Sequence, residues 1–181
     1  MGDERCFRSV LKMAISAPEA LTETHDLSQF SCGKPSLDNW LKTRALSNQK
    51  KGFTAVMVVH EGGRVIAYDG LAPTAVVPAV LPRSIRTGQS PDPLPCLLLG
   101  QLATDQKWRG KGIGTGLLKH ALQRCVHGAS LVGGRALIVN AVDDEAAEFW
   151  QRRGFLPSRD DSKVLARSIH DIAASLEQSE R

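Results

Sequence analysis

Several features that would point to particular protein classes are missing from this sequence of 181 residues. Its four cysteines are scattered without a CxxC pair, which argues against a zinc site or a disulfide framework and favours buried, reduced thiols. No apolar run approaches the roughly 20 residues of a membrane helix, and no signal peptide is recognisable. Net charge is only +4, so composition alone does not select a nucleic-acid-binding class. We therefore expect a cytoplasmic globular protein that needs no metal.

Length predicts one domain, and its N-terminal boundary is the first question. Residues 1–13 are mixed and show no periodicity, whereas the chain from residue 14 onward is coherent. We predict a flexible N-terminal extension over 1–13, or an upstream start codon with Met13 as the alternative start, and a single domain over 14–181. Ordinary fraying of a chain terminus explains the same stretch equally well.

Hydrophobic periodicity and turn residues predict alternating helices and strands along that domain. The predicted helices cover 37–51, 117–125, 145–153 and 169–176, and the predicted strands cover 54–59, 65–72, 96–104, 135–142 and 163–166. The segment from Pro73 to Pro95 carries six of the nine prolines and is predicted to be a long loop. Gly154 is expected to end the third helix in the left-handed conformation.

The most informative short stretch is RGKGIGTG, residues 109–116, which follows a buried strand and opens a helix. Glycines leave backbone N–H groups accessible, and a helix N-terminus favours an anion, so phosphate binding is expected there. A plain glycine-rich turn is the alternative. A Walker A loop is excluded because Gly112, and not Ser or Thr, follows Lys111, and no GxGxxG fingerprint begins at Gly110 or Gly112.

The stretch matches the pyrophosphate loop of the GNAT N-acetyltransferases, written Arg/Gln-x-x-Gly-x-Gly/Ala, at Arg109, Gly112 and Gly114. LGQLATD, LIVNAV and AAEFWQRRGF resemble the family's fourth strand, fifth strand and following helix. FSCGKPSLDNWLKTRALSNQ and GRVIAYDGLAP resemble a narrower branch, the toxins of bacterial toxin–antitoxin pairs that acetylate aminoacyl-tRNA. The resemblance implies an α/β (α+β) GNAT fold, in which helices flank a single splayed, mixed, mostly antiparallel sheet.

The same resemblance implies acetyl-CoA as co-substrate and assigns residues to it. Backbone groups around Leu102, Ala103 and Thr104 would bind pantetheine, and Asn140 would reach its amide, although Asn140 at a strand end is equally well explained as a polar cap. The pyrophosphate would bind the loop residues Arg109, Gly110, Lys111, Gly112, Ile113, Gly114 and Thr115. Asp105 and Glu145 are conceivable bases, but carboxylates near strand ends are more often simply solvated.

One position departs from the branch, whose members carry a Phe-Tyr pair on the helix after the fifth strand. This chain has Phe149-Trp150, and an indole N–H donates a hydrogen bond but is not a usable acid. Trp150 therefore either steadies the departing sulfur without protonating it or is only a packing residue. The single tyrosine, Tyr68, lies on a predicted hairpin strand with nothing to place it near sulfur.

Partners follow from the resemblance and from the distribution of cations. In a toxin, basic residues on several segments would contact the tRNA backbone, although each taken alone is ordinarily a solvated cation. These residues are Lys42, Arg44, Lys50, Lys51, Arg83, Arg86, Arg152 and Arg153. The resemblance also implies a ribbon-helix-helix antitoxin and a homodimer. The alternatives are a GNAT enzyme that acetylates a small amine or a protein N-terminus, and an acetyl-CoA-binding protein with little turnover.

Overall fold

One seven-stranded sheet organises residues 14–181, the part of the chain that the computed structural model describes. The strands are β1 (Glu19–Ala20), β2 (Ala55–Glu61), β3 (Arg64–Val76), β4 (Leu94–Thr104), β5 (Ala136–Asn140), β6 (Leu156–Pro157) and β7 (Val164–Ser168). Their order is β1-β2-β3-β4-β5-β7-β6, and every neighbouring pair is antiparallel except β4 with β5. The predicted mixed, mostly antiparallel sheet is therefore confirmed, while the extension predicted for 1–13 lies outside the described residues.

Helices cover both faces of this sheet. They are α1 (Pro35–Trp40), which continues through a π-helical turn (Leu41–Ala45) into α2 (Leu46–Lys50), then α3 (Ile113–Val132), α4 (Asp144–Gln151) and α5 (Ile169–Ser179). Side chains alternate between the faces of a strand, so on β3 Tyr68 packs in the core with α1 while Ala67 packs with Leu117 of α3. None of the helices in residues 14–181 has both the length and the apolarity to cross a membrane.

The proline-rich segment is shorter as a loop than its composition predicts. Pro73 lies within β3 opposite Leu97, and Pro95 lies within β4 opposite Ala75, so the predicted loop boundaries are wrong at both ends. A proline is tolerated in a strand where its missing N–H is not needed by the ladder. The short edge strands β1 and β6 were also not predicted, because two residues carry no periodic pattern.

The predicted left-handed residue at the end of α4 is confirmed, and the structure adds a cap at the start of this helix. Gly154 has φ +80° at the end of α4, and Asp143 caps the start of α4 by accepting the Ala146 N–H at 2.9 Å. The thiols of Cys32, Cys96 and Cys125 are buried and unpaired, as expected for reduced cysteines. Cys6 lies outside the described residues.

The feature that creates a site is the divergence of β4 from β5. The two strands pair only between Leu97–Leu99 and Leu137–Val139. At that point the β3–β4 register shifts, with Gly70 opposite Gln101 and Leu71 opposite Leu99, so that Gly100 bulges from the ladder. Beyond Gly100, β4 stays with β3 while β5 stays with β7, and the sheet opens between them.

Candidate functional site

A cleft of about 400 Å³ fills the opening between the two diverging strands. It extends from the glycine loop at the start of α3 to the first two turns of α4, and the segment before α1 borders it. The sequence-predicted residues that line it are Leu102, Ala103, Thr104, Arg109, Gly110, Gly112, Ile113, Gly114, Thr115, Asn140, Glu145 and Trp150. The fold therefore brings together all of the predicted cofactor residues except Lys111, and they come from three separate segments.

The open edge of β4 presents main-chain groups to this cleft. Asp105 N–H donates to the Ile66 carbonyl at 2.8 Å, toward β3. Because successive residues of a strand direct their main-chain groups to opposite edges, Leu102 and Thr104 direct theirs away from β3, where β5 no longer lies. These N–H and C=O groups are suited to an extended amide-bearing ligand such as pantetheine.

The glycine loop presents an open backbone surface. Gly110 and Gly112 have φ +73° and +80°, and a Cβ at either position would meet no protein atom within 4 Å. Gly112 is the left-handed N-cap residue of α3, a helix of 20 residues. The first residues of this helix line the cleft, and their N–H groups have no partner within the helix. Positive φ explains why glycine is needed at both positions, and the empty space before them is what a bound anion requires.

Two side chains flank the loop. The Lys111 ammonium lies 4.6 Å from the ring centroid of Trp108, a cation–π contact that keeps its charge beside the loop. The Trp108 indole N–H is buried and has no hydrogen-bond partner among the described residues, although Trp108 borders the cleft. A buried donor without a partner is uncommon, and here it offers a hydrogen bond to a ligand.

The Arg109 side chain is engaged elsewhere. Its guanidinium donates to the carbonyl of Cys32, on the segment just before α1. This contact uses one N–H donor of the guanidinium, so its other N–H groups and the Arg109 backbone are left for the pyrophosphate in this arrangement. The same segment, Ser31–Lys34, is also tied to the loop after β4, because Ser31 N–H donates to Asp105 at 3.0 Å and Gln106 N–H donates to the Ser31 carbonyl at 2.9 Å.

The other end of the cleft is built by α4. Trp150 is 6% exposed and makes edge-to-face contacts with Phe149 and Phe155, with ring centroids 5.0 Å apart in both pairs. It therefore packs in the core and also borders the cleft. Asn140, the last residue of β5, is exposed and lines the cleft close to the start of α4.

The two carboxylates that the sequence offered as bases have different surroundings. Asp105 is buried and accepts N–H groups from Ser31 and from Lys107, at 3.0 and 2.9 Å, which is a structural role. Glu145 borders the cleft mouth with its side chain 89% exposed. Tyr68 donates to the Leu37 carbonyl at 2.7 Å, and burial raises the pKa of this phenol, so it is unsuited to acid–base work.

A buried ion pair that the sequence did not reveal holds α3 to the sheet. Asp69 on β3 is fully buried and accepts from Arg124 of α3 at 2.8 Å, while its second oxygen has no partner among the described residues. Burial raises the pKa of Asp69 to about 6, against the opposing effect of Arg124. The pair thus fastens to β3 the helix that begins at the glycine loop.

The predicted tRNA-contacting cations fall into two groups. Lys50 pairs with Glu23, Arg152 lies 3.5 Å from Glu148, and the Arg153 guanidinium lies 3.5 Å from the ring centroid of Phe149. Within residues 14–181, no acidic partner lies within ion-pair distance of the other five cations. These are Lys42, Arg44, Lys51, Arg83 and Arg86, of which only Arg86 is partly buried.

A cluster of Glu19, His25 and His60 at the β1 edge of the sheet has metal-like spacing, with all three ligand atoms within 4.8 Å of one another. Each imidazole Nδ1 accepts a backbone N–H, from Thr22 at 2.9 Å and from Gly63 at 3.1 Å. The proton of each neutral ring is therefore on Nε2, and both rings donate to Glu19, at 2.8 and 3.0 Å. The cluster is satisfied as a hydrogen-bonded network that fastens β1 to β2.

An antiparallel sheet that splays beside a parallel strand pair, with a glycine loop and helix N-terminus at one end, defines an acyl-CoA-binding transferase fold. The profile of the acetyltransferase (GNAT) domain matches residues 52–157. The chain is 39% identical over 159 residues to a tRNA-acetylating toxin of Mycobacterium tuberculosis (strain ATCC 25618 / H37Rv), a match that covers 88% of this chain and 95% of the relative.

Solved structures show the same fold. AtaT complexed with acetyl-methionyl-tRNAfMet superposes with a TM-score of 0.77 at 24% identity, over 89% of this chain and 98% of that one. An AtaT mutant toxin bound to acetyl-CoA and to the C-terminus of the antitoxin AtaR superposes with a TM-score of 0.73 at 23% identity. The match covers 88% of this chain and 96% of that one. The chain belongs to the GNAT acetyltransferase family. It is an acetyltransferase that uses acetyl-CoA.

The residues of the cleft fit this co-substrate. The open surface before Gly110 and Gly112 suits a pyrophosphate, the unpaired edge of β4 suits the amides of pantetheine, and the partnerless Trp108 N–H adds a donor. Which of the predicted residues contact acetyl-CoA stays a prediction.

Proposed function

We propose that this protein is a toxin that acetylates the α-amino group of aminoacyl-tRNA and thereby blocks translation. The observation that carries this proposal is the 39% identity to a tRNA-acetylating toxin over nearly the whole of that relative. The cations without acidic partners support it, since contacts with tRNA phosphates need exposed positive charge and little else. Charged tRNA is a cytoplasmic substrate, so we place the reaction in the cytoplasm.

One end of the cleft binds the cofactor, and the other end carries out the acetyl transfer. When bound, acetyl-CoA supplies an activated acetyl thioester. Backbone N–H groups of residues 110–115 hold its pyrophosphate, and main-chain groups of Leu102 and Thr104 hold its pantetheine. Together they place the thioester at the splayed end of β4, where a backbone N–H near the Gly100 bulge stabilises negative charge on the carbonyl oxygen.

Transfer then breaks a carbon–sulfur bond and forms a carbon–nitrogen bond. The acceptor amine loses one proton, and the departing thiolate gains one. Trp150 borders the cleft, and its N–H stabilises the thiolate by hydrogen bonding but cannot supply the proton, so water supplies it. Acid catalysis typically contributes ~10²–10⁴-fold, and we expect transfer to be slower by part of that factor than in relatives with tyrosine.

An acyl-acceptor panel tests the proposal. The protein is incubated with labelled acetyl-CoA and bulk aminoacyl-tRNA, deacylated tRNA, N-formylated aminoacyl-tRNA, small amines or a peptide with a free N-terminus. We expect label only on aminoacyl-tRNA with a free α-amino group, as N-acetyl-aminoacyl ester identified by mass spectrometry. Faster labelling of the peptide or of a small amine would replace the proposal with the ordinary acetyltransferase alternative.

The partner of such a toxin is an antitoxin, for which we propose a ribbon-helix-helix protein with an acidic tail that covers the exposed cations beside the active site. We also propose that the toxin is a homodimer. The toxin–antitoxin complex should weaken as salt rises, because screening shortens the reach of exposed charges. A complex insensitive to salt that leaves acetyl-CoA and tRNA access open would contradict this partner assignment, and a monomer in analytical ultracentrifugation would contradict the dimer.

A second function is favoured by one observation. Trp150 stands where the resembled branch carries a tyrosine, and it packs against Phe149 and Phe155, so the position has no acid to protonate the thiolate. The second function is therefore that of a protein that binds acetyl-CoA with little turnover. Stoichiometric acetyl-CoA binding without transfer to any acceptor in the panel would support that function.

A further inference from the structure

An ion pair crosses the cleft at the start of α4. Lys34, the residue before α1, contacts the carboxylate of Asp143 and lies 3.5 Å from that of Glu145. Asp143 and Glu145 belong to the N-cap and first turn of α4, so the pair joins the two walls of the cleft. Among residues 14–181, no other polar side-chain contact links the Ser31–Lys34 segment or β4 with its following loop to α4.

The Lys34 side of this contact is held firmly. The Ser31–Lys34 segment is bound to the loop after β4 through Asp105, Gln106 and Arg109. Gly33 has φ +86°, and a Cβ there would collide with the side-chain amide of Gln106, so the segment lies tightly against that loop. The cation of Lys34 is thus attached to the wall that carries the glycine loop.

The Asp143 side of the ion pair belongs to α4, the helix that carries Trp150. Asp143 caps α4, and α4 carries Phe149 and Trp150 into the cleft wall. The side chains of Lys34 and Asp143 are only 33% and 39% exposed, so water screens this pair less than it screens a fully exposed one. A displacement of the first turn of α4 would move the whole wall that faces the thioester.

We infer that Lys34 is a positioning residue for acetyl transfer: it fixes α4 against the opposite wall and so sets the distance between Trp150 and the thioester. It is not a catalytic residue, since it acts through α4. This inference rests on the proposed function only where it is tested by kcat, since those measurements need an acetylated acceptor.

Two variants remove the ion pair from opposite sides. Lys34→Met keeps the aliphatic stem, and Asp143→Asn keeps an oxygen to cap α4. We expect each to lower kcat ~10-fold, because small displacements of reacting groups cost rate steeply. The acetyl-CoA Kd should change less than ~2-fold, because the cofactor is held mainly by hydrogen bonds from the backbone of residues 110–115, which both variants leave intact. The double variant should be no slower than either single one, because both remove the same contact.

Lys163→Met is the matched control. Lys163 lies outside the cleft, 4.0 Å from Asp144 of α4. The Lys163→Met substitution therefore removes a positive charge next to α4 but leaves the Lys34–Asp143 ion pair intact. Its kcat should equal that of the wild type, and Lys34→Arg should retain most of the wild-type kcat.

Hydrogen exchange of the α4 amides, measured without any acceptor, tests the same inference independently of tRNA acetylation. Lys34→Met should speed exchange at Ala147–Trp150, and Lys163→Met should not. Unchanged exchange and unchanged kcat in Lys34→Met would overturn the inference, as would additive losses in the double variant. If no acceptor is acetylated, the proposed function fails while the exchange arm still decides the role of Lys34.

Discussion

The two ends of the cleft are built in different ways. The glycine loop binds through main-chain groups whose directions are set by local φ angles, +73° at Gly110 and +80° at Gly112. The α4 end depends on side chains, namely Trp150 packed between aromatic rings and Asp143 bridged to Lys34. We propose that the first end determines the affinity for acetyl-CoA and that the second end determines the rate of transfer. Each variant below tests whether the two properties separate.

The largest effect is expected from Gly112→Val at the loop end. A side chain there occupies the open approach to the loop, and loss of about two hydrogen bonds to a charged group, at ~1.5–3 kcal/mol each, should weaken acetyl-CoA binding ~10²-fold or more. Calorimetric titration measures the Kd. Gly63→Val is the control, since Gly63 has φ +88° and open space but lies in the β2–β3 turn. Equal loss in both variants would show backbone strain and not ligand exclusion.

Arg124→Met should cause the largest loss of folding stability. It leaves Asp69 buried without its cation, and breaking a buried pair in this way typically costs ~3–5 kcal/mol. Denaturant unfolding measures the loss. If the free energy of unfolding changes by less than ~1 kcal/mol, the pair does not hold α3 to the sheet as described.

The same pair predicts a pH dependence. Burial raises the pKa of Asp69 to about 6, so between roughly pH 4 and 6 the folded state binds more protons than the unfolded state. The stability that the folded state gains by binding this proton is fully present below the pKa of Asp69 in the unfolded chain. It is lost as pH rises through about 6, the pKa in the folded state. The wild type should therefore lose on the order of 2–3 kcal/mol over this interval relative to Asp69→Asn. Parallel pH profiles for the two proteins would contradict the raised pKa.

Trp150→Tyr should act on the other end of the cleft and raise kcat ~10-fold with little change in the acetyl-CoA Kd. A phenol with a pKa near ~10 can protonate a thiolate, whereas an indole cannot. Trp150→Phe is the control, because it makes the same change toward a smaller ring but has no O–H. A gain shared by Tyr and Phe would assign the effect to packing, and no gain in the folded Tyr variant would leave Trp150 as a packing residue.

The smallest effects are expected on the basic surface. Lys42→Ala should raise the tRNA KM a few-fold and lower the salt slope of binding by about 1, as for a single phosphate contact. Lys50→Ala should change both the tRNA KM and the salt slope less, because Lys50 already pairs with Glu23. Identical changes in both variants would remove the distinction between paired and unpaired cations.

The loop end was predictable from the sequence because its determinants are local. Four glycines within residues 109–116, between a buried strand and an amphipathic helix, predict a tight turn with accessible backbone N–H groups. The family assignment that rests on this loop and its flanking segments is confirmed. The Gly154 cap was predictable for the same reason, since helix caps are short-range signals.

The α4 end was only partly predictable. Lys34 and Asp143 are 109 positions apart, and Asp69 and Arg124 are 55 apart, so neither pair leaves a pattern in the chain. Charged residues are common enough that only the fold selects which of them meet. The loop predicted for 73–95 is wrong at both ends, because strand pairing includes Pro73 and Pro95 despite their missing N–H groups.

The central claim, that acetyl-CoA binds along the cleft with its pyrophosphate on the glycine loop, is tested most directly by NMR. Backbone amide signals of the assigned protein are followed while acetyl-CoA is added. We predict the largest shifts at Gly110–Thr115 and at Leu102–Thr104, with none at the Gly62–Gly63 turn. Saturable binding that leaves the 110–115 amides unshifted, or that shifts the turn instead, would contradict the assignment.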